Sequence, residues 1–79
     1  MGERPDTFII EVKFHQIVNY TPRDVVSKWA YENYTPVFYD DYSKPYLLMY
    51  GGKYMYDHWE ITDNCDGTET VIATLIREN

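Results

Sequence analysis

The sequence predicts a small α+β domain in which one helix covers one face of an antiparallel sheet. Three observations indicate it: alternating apolar residues near the start, a capped helix after them, and marked chain reversals in the second half. The predicted order is β-α-β-β-β, and Val37–Tyr39 is a candidate fifth strand. A sheet with one covered face is the simplest arrangement that buries these elements. Seventy-nine residues correspond to a single domain, residues 1–79.

The first strand is predicted from side chains that alternate between apolar and polar. Glu11, Lys13 and His15 fall on the polar side of a period of two, which is typical of a strand with one wet face. We therefore expect His15 to be solvated and not to be a ligand. The apolar side should face the helix, and it comprises Phe8, Ile10, Val12, Phe14 and Val18.

A helix start is predicted between Tyr20 and Val25. Thr21 can accept a hydrogen bond from the amide of Asp24, and Pro22 suits the first helical position because no amide donor is needed there. Asp24 favours the positive end of the helix, and Tyr20 and Val25 hold the positions of a hydrophobic staple. The apolar face of the helix should be Val25, Val26, Trp29 and Ala30.

Two glycines mark the first chain reversal of the second half. Gly51-Gly52 can supply the positive φ angles of a two-residue turn between the strands Tyr46–Tyr50 and Lys53–Thr62. This turn would place Met49 opposite Tyr54. The two strands would then form a hairpin.

A second reversal is predicted at Asp63–Gly67, before the closing strand Thr70–Ile76. It would place Thr62 opposite Glu69, so that Glu60 and Glu69 become diagonal neighbours on one face, about 7–8 Å apart. Like charges at this spacing cost stability. Keeping them indicates a role in binding, although solubility is a sufficient alternative reason.

The negative charge is concentrated in the second half of the chain. Of the net charge of −6, residues 40–79 contribute −5, from eight acids and three bases. No lysine or arginine lies between Lys53 and Arg77, whereas an acid stands there at every third position: Asp57, Glu60, Asp63, Asp66 and Glu69. A concentrated negative field attracts basic surfaces and repels nucleic acid.

Tyrosine is the second unusual feature of the composition. Six of the nine tyrosines lie between Tyr39 and Tyr56. Tyrosine is favoured in protein interfaces, because it gives a large contact area at low rotamer cost. It is also a good strand former. An exposed tyrosine-rich patch and ordinary core packing are therefore both open interpretations.

Metal and catalytic motifs are weak. Asn64-x-Asp66-Gly67 overlaps a calcium-binding loop, but Thr62 and Ala73 stand where that loop requires carboxylates, so a hairpin turn is favoured. In a strand, Asp57 should point away from His58, which disfavours a metal or acid–base cluster. We expect no enzymatic activity, no cofactor and no metal.

The single cysteine excludes an internal disulfide and fits a reducing compartment, so we expect a cytoplasmic protein. Cys65 has no basic neighbour in the sequence that would make it a reactive thiol. We expect it to be an ordinary turn residue.

Small size, acidity, tyrosine content and the lack of a catalytic motif resemble the small acidic inhibitor proteins of bacteriophages and mobile elements. Those proteins block host nucleic-acid-binding proteins, RNA polymerase or CRISPR nucleases. The resemblance implies a DNA mimic whose partner is a basic, nucleic-acid-binding protein, with no direct nucleic-acid binding and no membrane contact. Its carboxylates would take the place of phosphates in charge-assisted contacts with the partner's basic side chains.

The partner contacts are expected from acids of the second half and two adjacent tyrosines: Asp40, Asp41, Asp57, Glu60, Asp63, Asp66, Glu69, Tyr54 and Tyr56. The alternative is a general protein-interaction module or small subunit that binds through a tyrosine-rich apolar sheet face. Binding by a mimic should weaken steeply with salt, whereas binding through an apolar interface should not.

Overall fold

The computed structural model describes residues 4–78, which form one helix and five antiparallel strands in a sheet that curls into a half-barrel. The α+β class with one helix is confirmed. The sheet has the order β1-β5-β4-β3-β2. Its elements are β1 (Thr7–His15), α1 (Pro22–Glu32), β2 (Phe38–Tyr39), β3 (Pro45–Met49), β4 (Gly52–Asp63) and β5 (Thr68–Glu78).

Strand β1 turns the expected face inward but ends earlier than its pattern suggests. Ile10 and Val12 are buried, and the polar residues of the strand are exposed. Val18 was expected on the apolar side, yet it lies outside the strand and is 44% exposed. The reason is a turn in which the amide of Val18 donates to the carbonyl of His15, 3.1 Å away.

The helix start is confirmed in detail. The hydroxyl of Thr21 accepts from the amide of Asp24, and the carboxylate of Asp24 accepts from the amide of Thr21 at 2.8 Å, so each residue caps the other. Val25 and Val26 are fully buried, and Ala30 is nearly so. The indole of Trp29 stands edge-on to Phe8 of β1 with ring centroids 5.3 Å apart, which anchors the second half of the helix.

The core lies between α1 and one face of the sheet. Alternate residues of β1, β5, β4 and β3 point into it, and the fully buried side chains from the sheet are Ile10, Leu47, Tyr54, Val71, Ala73 and Leu75. The other face of the sheet, called the open face below, has no helix over it among residues 4–78. Its exposed apolar side chains are Ile9, Leu48 and Ile76.

The turn between β3 and β4 is displaced from Gly51-Gly52. Tyr50 and Gly51 occupy the turn with φ angles of 52° and 72°, so Met49 pairs with Gly52 and not with Tyr54. Tyr50 tolerates the left-handed conformation here, although glycine favours it more. The pairing of β3 with β4 moves by two residues, so the paired residues of these two strands keep the faces that were expected for them.

The pairing of β4 with β5 differs from the prediction by one residue, and that changes the faces. Glu60 pairs with Ile72, and Asp63 pairs with Glu69. Glu60 and Glu69 therefore lie on opposite faces of the sheet, and the expected diagonal pair is wrong. The cause is a β-bulge: Tyr56 pairs with Leu75, in the register that the predicted turn implies, but His58 pairs with Thr74, so Asp57 is the extra residue.

Candidate functional site

The bulge at Asp57 divides the β4–β5 hairpin into two parts. The proximal hairpin comprises Lys53–Tyr56 with Leu75–Glu78, and the distal hairpin comprises Asp57–Thr74. Strand β3 pairs with β4 only as far as Met55. Beyond the bulge, β4 has β5 on one side and no other strand on the other side within residues 4–78. The distal hairpin therefore has a free edge, Asp57–Asp63.

The side chains along this free edge are largely accessible to solvent. His58, Glu60, Thr62 and Asp63 are exposed, and Ile61 is 46% exposed. Trp59 is half-buried because its ring packs edge-on against Tyr20 and Tyr56. One aromatic side chain thus fixes the edge to the rest of the molecule, while its neighbours face solvent.

Asp57 and His58 lie side by side, contrary to the expectation that they point in opposite directions. The Nδ1 atom of His58 is 2.6 Å from a carboxylate oxygen of Asp57. Strict alternation fails at a bulge, because the extra residue departs from the regular pleat. Both side chains are about half exposed, so this pair sits at the surface. Glu60, which shares the open face with His58, joins no ion pair of residues 4–78.

Asp63 and Asp66 build the tip of the distal hairpin. The carboxylate of Asp63 accepts from the amide of Cys65 at 2.8 Å, and that of Asp66 accepts from the amide of Thr68 at 3.0 Å. Hydrogen bonds from the hydroxyl and the amide of Thr68 lower the pKa of Asp66, helped by the charge of Lys13. Cys65 is exposed in this turn at a φ of 61°, as expected for a turn residue.

Glu69 is engaged within the fold. It is half-buried on the helix side of the sheet, where its carboxylate accepts a hydrogen bond from the hydroxyl of Tyr20. Burial, this hydrogen bond and the negative charge of Glu69 raise the pKa of Tyr20 to about 12. Of the five acids in the base-free segment, Glu69 is therefore the one whose carboxylate helps to hold the loop before α1 against the sheet.

Asp40 and Asp41 lie apart from the hairpin in the connection between β2 and β3. The carboxylate of Asp40 accepts from the amides of Tyr42 and Lys44 at 2.9 and 2.8 Å, which closes this connection into a turn. Asp41 is exposed beside it. Lys44 supplies a compensating positive charge in the same segment.

Two tyrosines were expected to contact a partner, and they are placed differently. Tyr54 is fully buried, and its hydroxyl donates to the carbonyl of Pro5 at 2.6 Å, so a partner has no access to its ring. Tyr56 is half-buried, and burial together with the charge of Asp57 raises its pKa. Neither ring joins the acids in an exposed patch.

The remaining tyrosines do not form one surface. On the open face, Tyr46 is the tyrosine contributed by β3, and its ring stacks on Phe38 with the ammonium of Lys53 4.4 Å from its centroid. The most exposed tyrosines lie at the end of the helix and in turns: Tyr31, Tyr34, Tyr42 and Tyr50. The open face therefore carries exposed apolar side chains but is not tyrosine-rich.

The free edge is the feature that sequence reasoning missed. The signal was present in the predicted strand lengths, because Lys53–Thr62 is twice as long as Tyr46–Tyr50 and must extend beyond it. Hairpin partners of unequal length leave part of the longer strand without a neighbour on that side.

Residues 4–78 contain no cluster of three histidine, cysteine or acidic residues arranged to hold a metal ion. No helix in that part of the chain has the length and apolarity needed to cross a membrane. A scan against protein-family models and searches of curated proteins and of solved structures returned no match to this chain.

Proposed function

We propose that this protein is a small acidic binding protein that occupies the nucleic-acid-binding surface of a basic partner, with the distal hairpin in the place of nucleic acid. The observation that carries this proposal is the set of exposed carboxylates along the free edge. Asp57, Glu60 and Asp63 follow one another at intervals of about 10 Å, taking 3.3 Å per residue. Their side chains are exposed, and the distal hairpin contains no lysine or arginine.

The carboxylates surround the edge instead of forming a flat patch. Glu60 projects from the open face, Asp63 from the helix side, and Asp57 from the bulge. A partner that approaches the edge meets negative charge from both sides. Such a field speeds association with a basic groove and opposes the approach of nucleic acid itself.

The test compares two variants in which three acids become amides. The distal variant changes Asp57, Glu60 and Asp63, and the control variant changes Glu11, Glu32 and Glu78, so both lose three charges. Asp66 and Glu69 are left intact because their carboxylates support the turn and the Tyr20 contact. Amides retain a carbonyl oxygen, so the bond from the Cys65 amide to residue 63 can persist.

Each protein is immobilised and exposed to a nuclease-treated bacterial lysate, and bound proteins are eluted with a salt gradient and identified by mass spectrometry. We expect the parent and the control variant to retain basic, nucleic-acid-binding proteins that added DNA or RNA displaces. The distal variant should retain them poorly. Simultaneous binding of nucleic acid and this protein to a retained partner would falsify the mimic proposal.

A second candidate is a protein-interaction module that uses the open face, as supported by its apolar side chains. Ile9 is 61% exposed and Leu48 is 55% exposed. Ile76 lies between Thr7 and Met55 on the same face. Binding there would change little with ionic strength, so retention of the same partners by both amide variants at high salt would favour this candidate.

A further inference from the structure

We propose that the free edge of β4 receives an extended, lysine- or arginine-bearing segment of the partner as an added strand of the sheet. This inference rests on the proposed function for the charge of the partner, and it specifies how the partner is held. The geometry that points to it is the end of β3 pairing at Met55, eight residues before β4 ends at Asp63. An unpaired strand edge presents a row of free N–H and C=O groups, which an added strand can satisfy.

The length of the edge suits this mode of binding. Asp57–Asp63 covers seven residues, comparable to an ordinary strand of a globular protein. The backbone hydrogen bonds of this segment go to β5 on one side, and within residues 4–78 no turn or loop bond is made by His58–Thr62. Trp59 and Ile61 on the helix side would give apolar contacts to alternate residues of the added strand.

The charge of the edge selects the occupant. Pairing with β4 of a second copy would bring acids next to acids, because this segment carries three carboxylates and no lysine or arginine. A segment with lysine or arginine at alternate positions would place cations beside Glu60. Arg23 and Lys44 lie near Tyr56, at the bulge end, so the favourable charges concentrate toward Asp63.

The outer edge of β1 is the other long edge of the sheet, and its charges differ. Strand β1 pairs with β5 alone. Its open-face charges are Glu11 and Lys13, which are of opposite sign. A lysine at an edge is a common protection against added strands. The free edge of β4 is thus the better site for a basic segment.

The experiment uses a seven-residue peptide of alternating valine and lysine with blocked ends. Binding is measured by calorimetry at low salt, and amide hydrogen exchange of the full chain is followed by NMR. We expect the amides of His58–Asp63 that point away from β5 to exchange about tenfold more slowly in the complex. The same peptide with N-methylated central amides keeps its charge but should bind about 30-fold more weakly, since it loses backbone donors.

Two variants locate the peptide on the sheet. Glu60 and Glu11 flank Ile72 on the open face, one on β4 and the other on β1. Glu60→Gln should weaken binding about threefold, whereas Glu11→Gln should leave it unchanged. The two substitutions remove the same charge from the same face, so a difference between them reports position.

The outcomes separate this inference from the proposed function. Equal affinity of the methylated and unmethylated peptides, or unchanged exchange along β4, overturns strand addition but leaves recognition of a basic partner intact. Equal binding of a valine–glutamate peptide would show that the bound segment need not be basic, and it would overturn both this inference and the proposed function. Slower amide exchange along β4, together with weaker binding of the methylated peptide, supports the added strand. This support holds even if the lysate yields no nucleic-acid-binding protein and the mimic proposal fails.

Discussion

The proximal and distal hairpins belong to the same two strands but serve the molecule differently. In the proximal hairpin, β4 is paired on both sides, and Tyr54 and Leu75 are fully buried. In the distal hairpin, β4 is paired on one side, and Glu60 and Ile61 are exposed. The difference arises because β3 is short, so the sheet narrows at the bulge.

This contrast separates the strands that build the core from the free edge of β4, which no strand covers within residues 4–78. A domain of this size buries only about 60% of its unfolded surface, so its margin of stability is small. The proximal hairpin contributes Tyr54 and Leu75 to the core, and the distal hairpin contributes Val71 and Ala73 from β5. Along the free edge of β4, by contrast, three carboxylates are needed neither for the core nor for the Tyr20 contact: Asp57, Glu60 and Asp63.

The largest effect is expected when one apolar side chain of the proximal hairpin and one of the distal hairpin are each truncated to alanine. Leu75 is fully buried in the proximal hairpin, so Leu75→Ala should cost about 3 kcal/mol of unfolding free energy. Ile61 is 46% exposed in the distal hairpin, and Ile61→Ala should cost about 1 kcal/mol or less. Urea denaturation followed by tryptophan fluorescence measures both. Equal costs would contradict the division at the bulge.

A smaller effect is expected at the contact that ties the distal hairpin to the loop before α1. Tyr20→Phe removes the hydrogen bond to Glu69 and should cost about 1 kcal/mol at neutral pH, because the contact is only half-buried. The phenol has a pKa of about 12 in the folded protein and about 10 when unfolded. The hydrogen bond from Tyr20 to Glu69 therefore stabilises the folded protein fully below pH 10, and this stabilisation is lost as the pH rises toward 12.

The difference in stability between the parent and Tyr20→Phe should shrink across that interval. The other tyrosines are the same in both proteins, so their contributions cancel in the comparison. Urea midpoints at pH 8, 10 and 11 are sufficient to follow it. A constant difference over this range would show that the hydrogen bond to Glu69 does not hold Tyr20 in its neutral form.

The features that could be predicted from the sequence depend on residues near one another in the chain. Thr21 and Asp24 are three positions apart, and their reciprocal hydrogen bonds define the helix start whatever the rest of the fold does. Alternation along β1 is equally local, and it identified Ile10 and Val12 as core residues. The alternation misleads at Val18, because the pattern of apolar and polar residues continues there although the strand has already ended.

The features that could not be predicted depend on distant partners or on register. Tyr54 is buried because its hydroxyl reaches the carbonyl of Pro5, 49 residues away, and no local pattern marks that bond. The bulge at Asp57 carries no glycine to mark it, yet it moves the distal pairing by one residue. That shift moves Glu60 to the open face, whereas Glu69 stays on the helix side, where it contacts Tyr20.

The smallest expected effect concerns Asp66 at the tip of the distal hairpin. Hydrogen bonds from the hydroxyl and amide of Thr68 lower its pKa below the ordinary value of 3.8. A carboxylate whose pKa is lowered by folding contributes stability above its unfolded pKa and loses that contribution as the pH falls through the folded pKa. Asp66→Asn keeps an acceptor oxygen but lacks the charge, so it should be slightly less stable than the parent at neutral pH.

That difference should disappear as the pH falls below 3.8, because the parent then loses its charge as well. Asp41→Asn is the matched control, since Asp41 is exposed in another turn and its carboxylate accepts no hydrogen bond from residues 4–78. Thermal midpoints from pH 7 to pH 2.5 measure both variants. If the thermal midpoint of Asp66→Asn still lies below that of the parent at pH 2.5, the amide disturbs the turn itself. If the two midpoints become equal in acid, the charge of Asp66 stabilises the tip.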